Sequence, residues 1–188
     1  MSRLKEIQIS SVNIYTGNLL DVWVDRVKLP DNSFSSREYI KHPGAVVIVP
    51  ALPDGKIGLI RQYRYPMGRE FIELPAGKVD PGEKPIDTAA RELEEEIGYQ
   101  AGKLRLLTEI SPCIGYSNER MWLFLAQDLT ASAKNMDQDE FIEFMPTPLE
   151  AAEEMVWQGK ISDVKTIIGI LWTGRILGTK RKEKKSVG

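Results

Sequence analysis

Pro85-Ile-Asp-Thr-Ala-Ala-Arg-Glu-Leu-Glu-Glu-Glu-Ile97, closed by Gly98, is the stretch that decides how this chain reads. Ile86, Ala89, Ala90, Leu93 and Ile97 recur at steps of three and four, which predicts a helix with one buried stripe. Proline at its first turn and glycine just past its end suit the two termini. Glu92, Glu95 and Glu96 gather on the other side. Glu92/Glu96 and Glu92/Glu95 are like-charge neighbours, each pair costing about 0.2–0.5 kcal/mol. They also occupy the end of the helix where its dipole disfavours carboxylates by about 0.3–1 kcal/mol each. A solvated acidic face would explain glutamates alone. Two local rules broken on one face point instead to a divalent cation. Oxygen donors with no histidine or cysteine nearby suit Mg²⁺ or Mn²⁺ rather than zinc.

Upstream, residues 1–40 alternate polar and apolar in short runs broken by Pro30-Asp31-Asn32-Ser33, which predicts a meander of three small strands. Such a meander buries little by itself, and Trp23, Leu20 and Val24 then need another surface to cover them. His42-Pro43-Gly44 opens the main domain. Ala45–Val49 is almost wholly apolar and reads as a strand buried on both faces, joined to Ile57–Tyr63 through the turn Pro53-Asp54-Gly55. Further strands are expected at 71–74, 104–110, 121–126 and 141–145. A second helix should start at Thr147-Pro148-Leu149-Glu150, where Thr147 and Glu150 have capping-box spacing. A third, from about Asp163 to Leu177, should bury Val164, Ile167, Ile168, Leu171 and Trp172. Interleaved strands and helices predict an α/β fold, a mixed sheet covered by helices.

Gly77, Glu83, Arg91-Glu92-Leu93, Glu95-Glu96 and Gly98 stand at the spacing of the box of the Nudix hydrolases, and the chain resembles that family. Tyr99 departs from the pattern, where the family has an aliphatic residue. His42-Pro-Gly-Ala-Val-Val-Ile48, Ile60-Arg-Gln-Tyr-Arg-Tyr-Pro66 and Ile72-Glu-Leu-Pro-Ala-Gly-Lys78 are similar to its ADP-ribose and nucleoside diphosphate sugar branch. The similarity covers roughly residues 37–145. It implies a Nudix α/β/α sandwich with a mixed sheet over residues 41–178. Residues 1–40 then form an N-terminal β segment that serves dimerisation, exchanged between subunits, and residues 179–188 a basic disordered tail.

The resemblance also implies roles. Glu92 and Glu96 are the principal metal ligands, completed by Glu95 and the Ala76 carbonyl, with Mg²⁺ expected and Mn²⁺ as substitute. Glu95 and Arg91 count among the catalytic residues, although Arg91 and Glu83 serve better as braces than as substrate contacts. Gly77 and Gly82 permit a tight loop beside the metal. The general base comes from an acidic segment outside the box. Between Asp137 and Glu154 stand seven acidic residues and no basic one, and Glu140 is the choice, with Asp139 and Asp137 as fallbacks. Arg37, Arg61 and Arg64 are candidate diphosphate clamps, since guanidinium forks match phosphate oxygens. Ser111-Pro112 and Glu119 resemble the segment that marks ADP-ribose pyrophosphatases, which makes Ser111 and Glu119 candidate substrate-binding residues, with Glu119 at a further metal or the terminal ribose. Cys113-Ile114-Gly115 replaces the glycine expected next, which leaves other nucleoside diphosphate sugars open.

The expected activity is Mg²⁺-dependent hydrolysis of the pyrophosphate bond of ADP-ribose and related nucleoside diphosphate sugars, giving a nucleoside monophosphate and a sugar phosphate. A GDP-mannose or other nucleoside diphosphate hexose hydrolase is the alternative within the class. A non-catalytic sugar-nucleotide sensor is the alternative outside it, disfavoured because every carboxylate of the box is present.

Composition agrees with that reading. The 188 residues carry 25 Lys and Arg against 27 Asp and Glu, a formal charge of −2, so a nucleic-acid partner is not expected. The last ten residues hold +4 of that balance and the rest is acidic. One cysteine, Cys113, excludes an internal disulfide, and one histidine, His42, excludes a multi-histidine zinc site. No run of about 20 apolar residues could span a bilayer, and the first ten residues lack a secretory core. A cytoplasmic homodimer acting on a soluble nucleotide is the expectation.

Overall fold

Alternation over the first forty residues becomes a three-stranded antiparallel sheet in the computed structural model, which describes residues 3–132 and 141–185, with side chains to residue 177. Strands β1 (Ile7–Thr16), β2 (Asp21–Lys28) and β3 (Phe34–Ile40) pair in that order. The turn between β2 and β3 closes through Leu29 N–H to Ser33 O at 2.9 Å. Asp31 accepts from the Ser33 amide and hydroxyl, and Asn32 takes the left-handed conformation at φ 68°. These strands, with residues 111–120, form one of two units. Within it Ile40 bridges Ser117, and the Asn118 side chain accepts from the His42 amide at 2.8 Å. All ten residues of β1 are exposed.

The second unit comprises residues 45–110 and 121–188. Its strands are β4 (Ala45–Pro50), β5 (Lys56–Arg64), β6 (Arg69–Glu73) and β7 (Ala76–Lys78). Helix α1 (Pro85–Ile97) follows, then β8 (Tyr99–Ile110), β9 (Met121–Ala131), β10 (Ile142–Pro148), α2 (Leu149–Trp157) and α3 (Val164–Lys185). One sheet runs β7-β4-β9-β8, with β4 and β9 parallel and the other pairs antiparallel; a second runs β10-β5-β6. Every residue of β4 is buried, and its alternation sorts the core into two layers. Val46 and Ile48 pack with Ala89, Leu93 and Ile97 of α1, while Val47 and Val49 pack with Leu149, Ala152 and Ile170 of α2 and α3. Burying each large aliphatic side chain stabilises the fold by about 1.5–3 kcal/mol. The mixed α/β architecture is as expected.

Three local expectations need correction. In α1, Ile86 and Ala90 are exposed, and the buried stripe is Thr88, Ala89, Leu93, Glu96 and Ile97. Polar groups enter it because they find partners: the Thr88 hydroxyl donates to Glu83, and Glu96 accepts from the Ala76 amide. The capping box does not form either. Thr147 lies in β10 and turns its hydroxyl to Met145 O, so α2 starts at Leu149 with no side-chain cap.

In α3, Val164 and Trp172 are exposed, and Lys165, Thr166, Gly169, Ile170 and Thr173 face inward. The reason is close approach: a β-carbon on Gly169 would meet Leu74 at 2.4 Å, so a small residue must face the sheet. The helix continues to Lys185, into the segment expected to be a tail.

Candidate active site

Helix α1 ends where the sequence placed its stop. Gly98 adopts the left-handed conformation, φ 72°, and its amide closes on Glu94 O at 2.9 Å. The preceding strand β7 brings its backbone onto the same helix. A β-carbon on Gly77 would overlap the Glu92 carboxyl group, and Gly77 is fixed opposite Val46 in the sheet. The loop between them is held by Glu83, which takes the Thr88 hydroxyl at 2.8 Å.

Arg91 organises the carboxylates. Its Nη1 donates to Glu92 and Glu95, both at 2.8 Å, and its Nε and Nη2 reach Glu83 at 3.3 and 3.2 Å. Nη2 also lies 3.4 Å from Lys78 O and 3.6 Å from Asp80. This fan resolves part of the electrostatic puzzle, because one guanidinium sits between the two glutamates whose pairing looked unfavourable. Hydrogen bonding to Arg91, and less so to Thr88, holds Glu83 below the usual carboxylate range against the opposing effect of burial. The same contacts, Glu83 first, raise Arg91. Arg91 therefore braces the loop against the helix.

Glu96 is 3% exposed and accepts the Ala76 N–H at 3.2 Å. That bond fixes the Ala76 peptide beside the buried carboxylate. Among the described residues, no three acidic, histidine or cysteine side chains close on one point tightly enough to hold a metal. The donor set nonetheless fits a hard divalent cation: Glu92, Glu95, Glu96 and the Ala76 carbonyl offer only oxygens. Gly77 leaves room for backbone against them that any side chain would fill.

The clamp candidates divide. Arg64, at the end of β5, makes a two-pronged pair with Glu73, Nε and Nη2 each at 2.7 Å. Arg61 lies 3.3 Å from Glu143 and lines a cleft of about 400 Å³ with Tyr63, Glu70 and Phe141. Both belong to the second unit. Arg37, Ser111 and Glu119 belong to the first. There Arg37 forks onto Glu6 at 3.0 and 2.6 Å, and Ser111 is exposed. Glu119 stands 3.7 Å from His42 Nδ1, which already accepts the Gly44 amide at 3.0 Å. Glu140, Asp139 and Asp137 lie outside the described residues.

Sequence reasoning passed over Glu73. It is 2% exposed in an otherwise apolar stretch, Phe71-Ile-Glu-Leu74, and a lone acid in a buried strand was the available signal.

The NUDIX domain model matches residues 41–165, two thirds of the sequence. The chain belongs to the NUDIX family. It is 40% identical over 172 residues to the ADP-ribose pyrophosphatase of Bacillus subtilis (strain 168), a match covering 90% of this chain and 93% of that one. It is 35% identical over 168 residues to the methanol dehydrogenase activator of Bacillus methanolicus, covering 88% and 91%. A solved structure described as an ADP compounds hydrolase superposes with a TM-score of 0.86 over 96% of this chain and 98% of that one. At 23% identity it speaks for the fold. The acidic helix, its glycine loop and the Arg91 brace lie within the matched residues.

Proposed function

We propose that this NUDIX protein hydrolyses the pyrophosphate bond of ADP-ribose and related nucleoside diphosphate sugars, using Mg²⁺. The observation that carries the reading is Gly77 against Glu92, beside the buried Glu96 and the Ala76 peptide: an all-oxygen, glycine-lined acidic site. The pyrophosphatase relative from Bacillus subtilis, matched over nearly its whole length, supports the substrate class.

Glu92, Glu95, Glu96 and the Ala76 carbonyl would hold the cation. When bound, it supplies charge neutralisation for the departing phosphate and lowers the cost of deprotonating water. Arg91 keeps Glu92 and Glu95 in place from the side of Glu83. Arg61 and Arg64 offer guanidinium edges to the diphosphate. Glu140 takes the proton of the attacking water as a phosphorus–oxygen bond forms to it and the anhydride bond breaks. The products are a nucleoside monophosphate and a sugar phosphate. The protein acts as a cytoplasmic homodimer, supported by the exposed apolar side chains of β1; among the described residues no helix is long and apolar enough to cross a membrane.

A panel of ADP-ribose, GDP-mannose and other nucleoside diphosphate sugars, with products separated by chromatography, tests the reading. ADP-ribose should give AMP and ribose 5-phosphate only with Mg²⁺ or Mn²⁺. No turnover of any member would overturn it. Glu140→Gln should then lower kcat by roughly 10²–10⁴-fold and leave KM nearly unchanged. An unaltered kcat would move the base to Asp139 or Asp137.

A further inference from the structure

The geometry points to Lys165 as a positioning residue that, through Glu73, presents Arg64 to the phosphates of a nucleotide. This rests on the proposed reading of Arg64 as a diphosphate contact and goes beyond it. No motif marks Lys165, yet it is 7% exposed, unusual for a lysine. Its ammonium donates to Glu73, and to Asp163 at 2.9 Å. Glu73 in turn receives both prongs of Arg64, whose side chain remains 41% exposed. Arg64, Glu73 and Lys165 meet in a cleft of about 290 Å³, walled by Pro66, Met67 and Phe71.

Charge explains why two cations share one carboxylate. An Arg64–Glu73 pair alone would be neutral and offer an anion little attraction. With Asp163 beside it the balance would be negative and repel an anion, and Lys165 between the two carboxylates brings it back to neutral. Asp163 also holds the start of α3, where it accepts from the Thr166 amide at 3.1 Å and the Thr166 hydroxyl. Arg64 senses the wider site too: after its hydrogen bond to Glu73, opposed by burial, the charge of Glu96 contributes to raising it.

Position follows from the same network. Thr166 Oγ1 accepts the Leu74 amide at 2.8 Å, so Glu73 and Leu74 are both tied to α3. Two residues later stands Ala76, whose amide is held by Glu96. Arg64 and the Ala76 peptide are thereby referenced to one rigid helix start.

The test compares wild type, Lys165→Met, Lys165→Gln, Lys165→Arg, Arg64→Ala and the Arg64→Ala/Lys165→Met double variant in the full chain. ADP binding in the presence of Ca²⁺ is read by calorimetry, ADP-ribose kinetics as a KM-against-kcat split, and folding by circular dichroism. Lys165→Met and Lys165→Gln should weaken ADP binding and raise KM about tenfold with kcat changed far less. Lys165→Arg should restore most of the loss. The double variant should bind no worse than Arg64→Ala. Should Lys165→Met not fold, Lys165→Gln, which keeps a donor without charge, decides. Wild-type affinity in the folded Lys165 variants, or additive losses in the double variant, would overturn the inference. Coupled ADP binding without ADP-ribose hydrolysis would remove the proposed activity and leave this inference standing. No ADP binding by wild type would remove it.

Discussion

A β-carbon on Gly77 would lie 1.9 Å from the carboxyl carbon of Glu92. Strand β7 cannot retreat, since Gly77 pairs with Val46 of the buried central strand. Gly77→Ala must therefore push the Glu92 side chain aside. The expected outcome is a roughly 10–100-fold loss of metal affinity, with a stability cost of about 1–3 kcal/mol for overpacking. Mn²⁺ titration by electron paramagnetic resonance and urea unfolding check the two parts. Unchanged Mn²⁺ affinity would show that Glu92 is not a ligand.

Glu96→Gln should keep the fold, because the amide oxygen can still accept the Ala76 N–H. It should lower turnover by roughly 10²-fold or more, having lost a charge opposite the cation. Full activity at limiting Mg²⁺ would sink the assignment. For Glu92 the sequence alone suggests that Glu92→Gln stabilises the metal-free protein by tenths of a kcal/mol, through relief of like charges. Arg91 at 2.8 Å changes that sign, and a loss of up to about 1 kcal/mol is expected instead. Thermal melting in EDTA reads the difference.

Glu73 links stability to pH. Burial raises its pKa, but hydrogen bonds from Arg64 and Lys165 and their charges outweigh it, so the folded value lies below the ordinary carboxylate value. A lowered carboxylate pKa contributes stability that is complete above the unfolded value, about 4.3, and is lost as pH falls through the folded one. Glu73→Gln leaves the buried Lys165 with Asp163 as its remaining carboxylate and should cost about 1.5–3 kcal/mol at pH 7. Urea unfolding at pH 7 and pH 3 should show the gap between variant and wild type narrowing in acid. An equal gap at both would mean that the carboxylate charge contributes nothing.

Strand β1 is an edge strand carrying Ile7, Ile9, Val12, Ile14 and Tyr15, each at least half exposed. An apolar edge of that length favours burial against another surface. Sedimentation should find a dimer at micromolar concentration, and Ile9→Lys with Ile14→Lys should give monomers that still bind Mn²⁺. A fully active wild-type monomer would remove the dimer reading.

The helix 85–97, its glycine stop, the buried strand at 45–49 and the N-terminal meander were legible in the sequence. Each rests on local rules: apolar period, turn residues, and the φ that glycine allows. The acidic face was legible for the same reason, as a local conflict of like charges. Local rules could not say what answers those charges. Arg91 reaches Glu83 from the helix because a loop folds back, and Glu96 turns inward because Ala76 offers an amide. Nor could they orient α3: its apolar period favoured Val164 and Trp172, whereas close packing on Leu74 selected Gly169 and drew Lys165 inside. A buried charge is stable only with partners, and besides Asp163 close by, Lys165 pairs with Glu73, 92 residues away. Pairing at that separation is a property of the tertiary fold, which is why Lys165 carries no mark in the sequence.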